Sequence, residues 1–75
     1  MDKAILKAAA DLLKITEETA SEHVKALPEH KAFYIWNPKR GGNAVIIAEN
    51  GEKLAATSAV SFEKHLKAFL AGKRN

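Results

Sequence analysis

The dipeptide Asn50-Gly51 stands between two apolar segments, and it restricts the fold of this chain more than any other feature. The segment AVIIA, residues 44–48, precedes it, and KLAATS, residues 53–58, follows it. Both Asn and Gly tolerate positive φ, which a two-residue turn between antiparallel strands requires. The pattern therefore predicts a β-hairpin.

A two-residue turn would also fix the pairing of these strands. It places Ile47 opposite Leu54 and Val45 opposite Ala56 on one face. This face carries the bulkier side chains, so we expect it to lie in the core.

A further strand is predicted over residues 32–36, AFYIW, because aromatic and β-branched residues favour extended structure. Phe33 and Ile35 share one face and are expected to point inward. Tyr34 and Trp36 share the other and are expected to face solvent. The inverted arrangement, with Trp36 in the core, stays open because so short a chain has few large side chains to bury.

Two helices are predicted before this strand. Apolar side chains recur at helical spacing over residues 5–13, and Asp2 can cap their helix. Thr16 offers the N-cap of a second helix, whose apolar stripe continues to Leu27. Pro28 disfavours helical geometry at the residue before it, so we expect the second helix to end there.

A last helix is predicted between Ser61, a good N-cap, and Gly72, with residues 73–75 as a frayed tail. The element order is therefore two helices, a three-stranded antiparallel meander and one helix (ααβββα). We expect a single α+β domain of residues 1–75 in two layers, with the helices over one sheet face.

Composition excludes several kinds of site. The chain has no cysteine, and therefore no disulfide framework, thiolate metal site or thiol nucleophile. His23, His30 and His65 are too scattered to predict a metal site and are expected on the surface. Since paired carboxylates and a nucleophile with its base are also missing, we expect no catalysis, no metal and no cofactor.

The longest uninterrupted apolar run, residues 44–48, is too short to cross a bilayer. Lys7 and Asp11 interrupt the apolar start, which argues against a signal peptide. We expect a cytoplasmic protein that does not bind membranes.

Positive charge is concentrated in the second half of the chain. Residues 1–31 carry five Lys against six acidic residues, whereas residues 32–75 carry seven Lys or Arg against three Glu. Such asymmetry favours nucleic acid or an acidic protein as a partner.

The segment NPKRGGN, residues 37–43, joins the first two predicted strands. It lacks the spacing of a phosphate-binding P-loop, and turn chemistry accounts for its Pro, Gly and Asn residues. Only Lys39 and Arg40 are left without a structural reason. Surface charge at a loop tip and a binding role are the two interpretations that stay open.

Tyr34, Trp36, Lys39 and Arg40 are together predicted to form a partner-binding site on the sheet face or hairpin tip. Aromatic residues and Arg are the side chains that most often anchor protein interfaces. We therefore expect a non-catalytic protein-interaction module. The alternative is a single-stranded nucleic-acid-binding module, since aromatic and basic residues on a sheet also stack bases. A homodimer stays open because residues 32–36 would form an uncharged edge strand.

The residues that carry a resemblance to a known family are Gly42-Asn43-Ala44, Gly51-Glu52, Phe62-Glu63 and Leu66. With them, residues 33–69 resemble the YrhB-like family of small bacterial immunity-type proteins. The resemblance implies a bacterial, non-enzymatic protein that works by binding another protein. It transfers no contact residue.

Overall fold

One antiparallel sheet organises the part of the chain that the computed structural model describes, residues 3–39, 42–57 and 59–74. Helices precede and follow the sheet, which confirms the α+β class and the C-terminal helix. The elements are α1 (Lys3–Leu13), α2 (Glu17–Glu22), β1 (Val24–Leu27), a 3-10 turn (Pro28–His30), β2 (Ala32–Trp36), β3 (Ala44–Ala48), β4 (Lys53–Ala56) and α3 (Phe62–Leu70).

The sheet has four strands in the order β1-β2-β3-β4, and the three-stranded prediction is wrong at β1. The sequence places Val24 and Leu27 in a helix, but α2 ends at Glu22. Val24 instead pairs with Ile35, and Leu27 pairs with Ala32. The free energy gained by pairing with β2 outweighs the helical preference of this segment, which rests on the spacing of only a few apolar residues.

The β2 strand is hydrogen-bonded to β1 on one side and β3 on the other, so it is an interior strand and not the edge strand that the sequence predicts. The edges are β1 and β4, which carry Lys25 and Lys53. Lysine on an edge strand discourages pairing with another chain. The edge-strand argument for a homodimer through residues 32–36 is therefore wrong, and a homodimer itself stays a prediction.

The hairpin between β3 and β4 forms, but its register differs by one residue from the prediction. Ile46 lies opposite Leu54, and Ile47 lies opposite Lys53. The reason is a three-residue loop, residues 49–51, closed by a hydrogen bond of 2.7 Å from the Ala48 amide to the Glu52 carbonyl. Gly51 adopts a φ of +94° in this loop, as loops of this length require.

The core consists of two hydrophobic clusters on opposite faces of the sheet. The α1 and α2 helices pack on the face of Ile35, Val45 and Ile47. Phe69 of α3 packs on the other face, against Ile46. The expected arrangement with all helices over one face is therefore not found. Every residue of β3 is buried, because both of its faces are covered.

The predicted caps within the described residues are confirmed. Thr16 Oγ1 accepts a hydrogen bond of 3.1 Å from the Thr19 amide at the start of α2. Ser61 Oγ accepts one of 3.3 Å from the Lys64 amide at the start of α3. Gly72 follows the last turn of α3 as predicted. Asp2, the predicted cap of α1, lies outside the described residues.

The expectation of a frayed C-terminal tail is wrong for Arg74. Its guanidinium lies 3.8 Å from the centroid of the Phe69 ring. It also donates hydrogen bonds of 3.1 and 3.2 Å to the carboxylate of Glu52 and one of 2.6 Å to the Phe69 carbonyl. Arg74 therefore ties the end of α3 to the β3–β4 hairpin. Asn75 lies outside the described residues.

Candidate binding cleft

Tyr34 and Trp36 occupy successive positions on one face of β2 and line a cleft of about 440 Å³. The α3 helix covers only part of this face, and the cleft lies beside its first turn. The lining side chains that matter here are Lys25, Tyr34, Trp36, Lys39, Val60 and Phe62. We call this concavity the β2 cleft.

Three of the four residues predicted as a partner-binding site come together here. Tyr34, Trp36 and Lys39 all line the β2 cleft. Arg40 lies outside the described residues. The role of these residues in binding a partner stays a prediction.

Tyr34 is half-buried, not fully exposed as the sequence predicts. Its ring lies in T-shaped contact with two rings of α3, at centroid distances of 4.7 Å to Phe62 and 5.7 Å to His65. Burial raises the pKa of the Tyr34 hydroxyl above its ordinary value, because the charged phenolate is poorly solvated there. The prediction fails because it left this face of the sheet uncovered.

Trp36 is also half-buried, an outcome between the two alternatives that the sequence leaves open. Its ring stacks on Tyr34, with 5.8 Å between centroids and 28° between planes. On another side it meets His23 at 5.6 Å in an edge-on arrangement. Contacts with both neighbours hold the indole in place while part of it stays accessible in the cleft.

Lys25 also lines the cleft, which the sequence does not predict because the pattern around Lys25 favours a helix. In β1 it lies directly opposite Tyr34. Its ammonium nitrogen is 4.6 Å from the centroid of the Phe62 ring, within range of a cation–π interaction. Recognising the cleft therefore requires the pairing of β1 with β2, which no local pattern specifies.

Asn37 builds the loop that carries Lys39. Its backbone N–H donates a hydrogen bond of 2.9 Å to the Asn43 backbone carbonyl, and this bond closes the β2–β3 hairpin. Its side-chain oxygen accepts a hydrogen bond of 2.9 Å from the Lys39 amide. Its side-chain nitrogen donates to the Leu13 carbonyl at 3.4 Å, which joins the loop to the end of α1.

Gly42 lies against Asn37 in the same loop. A Cβ atom at Gly42 would come within 2.7 Å of Asn37 Cβ and Cγ and 2.9 Å of the Lys39 carbonyl. The Gly42 amide donates a hydrogen bond of 2.9 Å to that carbonyl. Turn geometry therefore explains the described part of the NPKRGGN segment, and Lys39 is the charged side chain that it presents to the cleft.

The electrostatic character of the β2 cleft is positive. Lys25 and Lys39 are exposed on its lining, and none of its described lining residues is Asp or Glu. Within residues 3–39, 42–57 and 59–74, neither lysine forms an ion pair; the pair found there joins Arg74 to Glu52. An anionic ligand would therefore meet two cations and no opposing carboxylate on the lining.

His65 lies behind the cleft and is buried, so the expectation of a surface histidine is wrong here. Its side chain is packed between α3 and the sheet, with Nε2 2.6 Å from the Leu54 carbonyl oxygen. Among the described residues Nδ1 has no hydrogen-bond partner. Because the ring is closed off from solvent, its contacts make it a packing residue of this interface.

Two features are absent from the described residues. No group of three or more His, Cys, Asp or Glu side chains in that part of the chain is arranged to hold a metal ion. None of the helices described is long and apolar enough to cross a membrane.

Comparison with known proteins gives no relative from which to infer a function. No family model matches the chain, and no curated protein or solved structure gives a significant match. The resemblance of residues 33–69 to the YrhB-like family stays a prediction. A functional conclusion therefore rests on the geometry of the β2 cleft.

Proposed function

We propose that this chain is a non-catalytic module that binds a partner protein in the β2 cleft. The observation that carries the proposal is the meeting of two half-buried aromatic rings, Tyr34 and Trp36, with two lysines in one concavity. These lysines, Lys25 and Lys39, form no ion pair with any residue that the structure describes. Aromatic side chains held in a partly formed pocket are frequent anchors of protein interfaces.

The size of the cleft suits a small part of a partner. Its volume of about 440 Å³ lies near the lower end of the range of roughly 300–1,000 Å³ for ligand pockets. One or two side chains of a partner segment would fill it. The rim residue Val60, which is 37% exposed, would then be covered.

Single-stranded nucleic acid is the competing ligand, since Lys25 and Lys39 lie beside the aromatic rings. Base stacking needs accessible ring faces. Here the Tyr34 and Trp36 rings stack on each other, and Phe62, His65 and His23 contact them further. Nucleic-acid grooves of this kind also track several nucleotides, which exceeds one small cleft. We therefore favour a protein partner.

The test compares two variants with the same change in charge. Lys25→Ala/Lys39→Ala alters the β2 cleft, whereas Lys64→Ala/Lys67→Ala alters exposed positions of α3 that do not line it. Each is used as bait in extracts of the cells that encode the chain, together with Trp36→Leu. Circular dichroism checks folding.

We expect the α3 variant to retain a specific captured protein and both cleft variants to lose it. Equal capture of the same protein by all folded variants would remove the β2 cleft as the binding site. Purified partner should then reproduce the difference with the isolated proteins.

A further inference from the structure

We propose that the partner segment held in the β2 cleft is acidic and apolar, with at least one carboxylate next to a large apolar side chain. This inference rests on the proposed function and specifies its ligand. It follows from three features of the cleft: the sign of its charge, the placement of its cations and the apolar part of its rim.

The sign of the charge selects against basic segments. A basic segment would approach Lys25 and Lys39 with no acidic residue among the described lining residues to compensate. Juxtaposed like charges are an effective way of excluding wrong partners. A carboxylate, in contrast, gains from both cations.

The placement of the cations is partly fixed by the fold. Lys25 extends from β1 with its ammonium nitrogen over the Phe62 ring. Lys39 extends from the loop that Asn37 holds with a side-chain hydrogen bond. The two lysines therefore approach the cleft from different elements, and a carboxylate that reaches either ammonium group would form a charge-assisted hydrogen bond.

The apolar part of the rim favours a ligand that carries an apolar side chain as well as a negative charge. Val60 is one of two large apolar side chains that are exposed among the described residues, and it lines the cleft with half-buried Phe62 and Trp36. An apolar side chain inserted here would remove this surface from water, which is favourable in proportion to the area buried.

The experiment uses the fluorescence of Trp36, the only tryptophan of the chain, as the reporter of binding. The probes are pools of short acetylated and amidated peptides with a central leucine or phenylalanine. Flanking residues are glutamate in one pool, glutamine in the second and lysine in the third. A mixed-sequence single-stranded oligonucleotide is the fourth probe.

We expect the glutamate pool to bind roughly tenfold more tightly than the glutamine pool, a ratio that two exposed ion pairs can supply. The ratio should shrink as salt is added. Lys25→Ala/Lys39→Ala should abolish it, whereas Lys64→Ala/Lys67→Ala should leave it unchanged. The lysine pool should bind most weakly.

Equal affinity for the glutamate and glutamine pools would overturn the acidic ligand but leave the proposed function standing. Tighter binding of the oligonucleotide than of any peptide would overturn both. If no peptide pool alters Trp36 fluorescence, the inference fails, and the capture experiment decides separately whether the cleft binds a protein.

Discussion

The Nε2 atom of His65 lies 2.6 Å from the carbonyl oxygen of Leu54, so a buried imidazole joins α3 to the edge strand β4. The side chain is only 1% exposed. Because a carbonyl oxygen can only accept, Nε2–H donates this hydrogen bond. The contact fixes the helix against the same sheet face on which the β2 cleft is formed.

Replacing His65 should separate packing from hydrogen bonding. We expect His65→Ala to lower the free energy of unfolding by about 2–4 kcal/mol, because it leaves a cavity and an unpaired carbonyl. His65→Phe keeps a ring in place and should cost about 1–2 kcal/mol. Urea denaturation measures both. A phenylalanine variant as stable as the wild type would show that the hydrogen bond contributes no net stability.

Stability should fall at alkaline pH because of Tyr34. Its pKa is raised in the folded state by burial, so the folded protein holds the phenolic proton more tightly than the unfolded chain. This contribution is fully present below the ordinary pKa of 10.0 and is lost as the pH rises through the folded-state pKa.

Urea denaturation at about pH 9 and about pH 11 measures this loss, with Tyr34→Phe as the control for lysine titration. The wild type should lose more stability than the variant. Tyr34 is the only tyrosine, so the tyrosinate absorbance reports its pKa directly. Parallel pH profiles of the two proteins would contradict the prediction.

Gly42→Ala should destabilise the β2–β3 loop by about 1–3 kcal/mol, because its Cβ would overlap Asn37. Gly51→Ala is the matched comparison: its Cβ meets nothing within 4 Å, but its φ of +94° is unfavourable for alanine. Thermal unfolding measures both variants. Only Gly42→Ala should also change the Trp36 emission, and an unchanged melting temperature would rule out the overlap.

Arg74→Ala should lower the free energy of unfolding by about 1 kcal/mol, a modest value since Glu52 is 55% exposed. Arg74→Lys should recover little of this loss. A lysine cannot bond the Glu52 carboxylate and the Phe69 carbonyl together while covering the Phe69 ring. Chemical denaturation of the wild type and both variants measures these free energies of unfolding. Wild-type stability in Arg74→Lys would show that Arg74 stabilises the fold by its charge alone.

The elements with strong local patterns could be predicted from sequence. The α1 and α3 helices, and the strands β2, β3 and β4, follow from apolar periodicity and from residues such as Thr16 and Ser61 that cap helices. At Val24 and Leu27 the local pattern fits a helix as well as a strand. Their structure is decided by pairing with Ile35 and Ala32 of β2, which the local pattern does not specify.

The same non-local effect limited prediction of the site. Tyr34, Trp36 and Lys39 could be identified because they lie close together in sequence. Lys25 reaches the cleft through β1, and Phe62 reaches it because α3 packs on a face that was expected to be open. One signal was available: all five residues of AVIIA are apolar, which is typical of a strand covered on both faces.

Complete enclosure of β3 has a consequence for isotope exchange. The backbone of β3 pairs with β2 on one side and β4 on the other, and helices cover its side chains on both faces of the sheet. The amide protons of β3 can then exchange with solvent deuterium only when the whole domain unfolds. The amide protons of residues 44–48 should exchange most slowly in the protein. Their exchange rates should therefore measure the free energy of global unfolding without any denaturant.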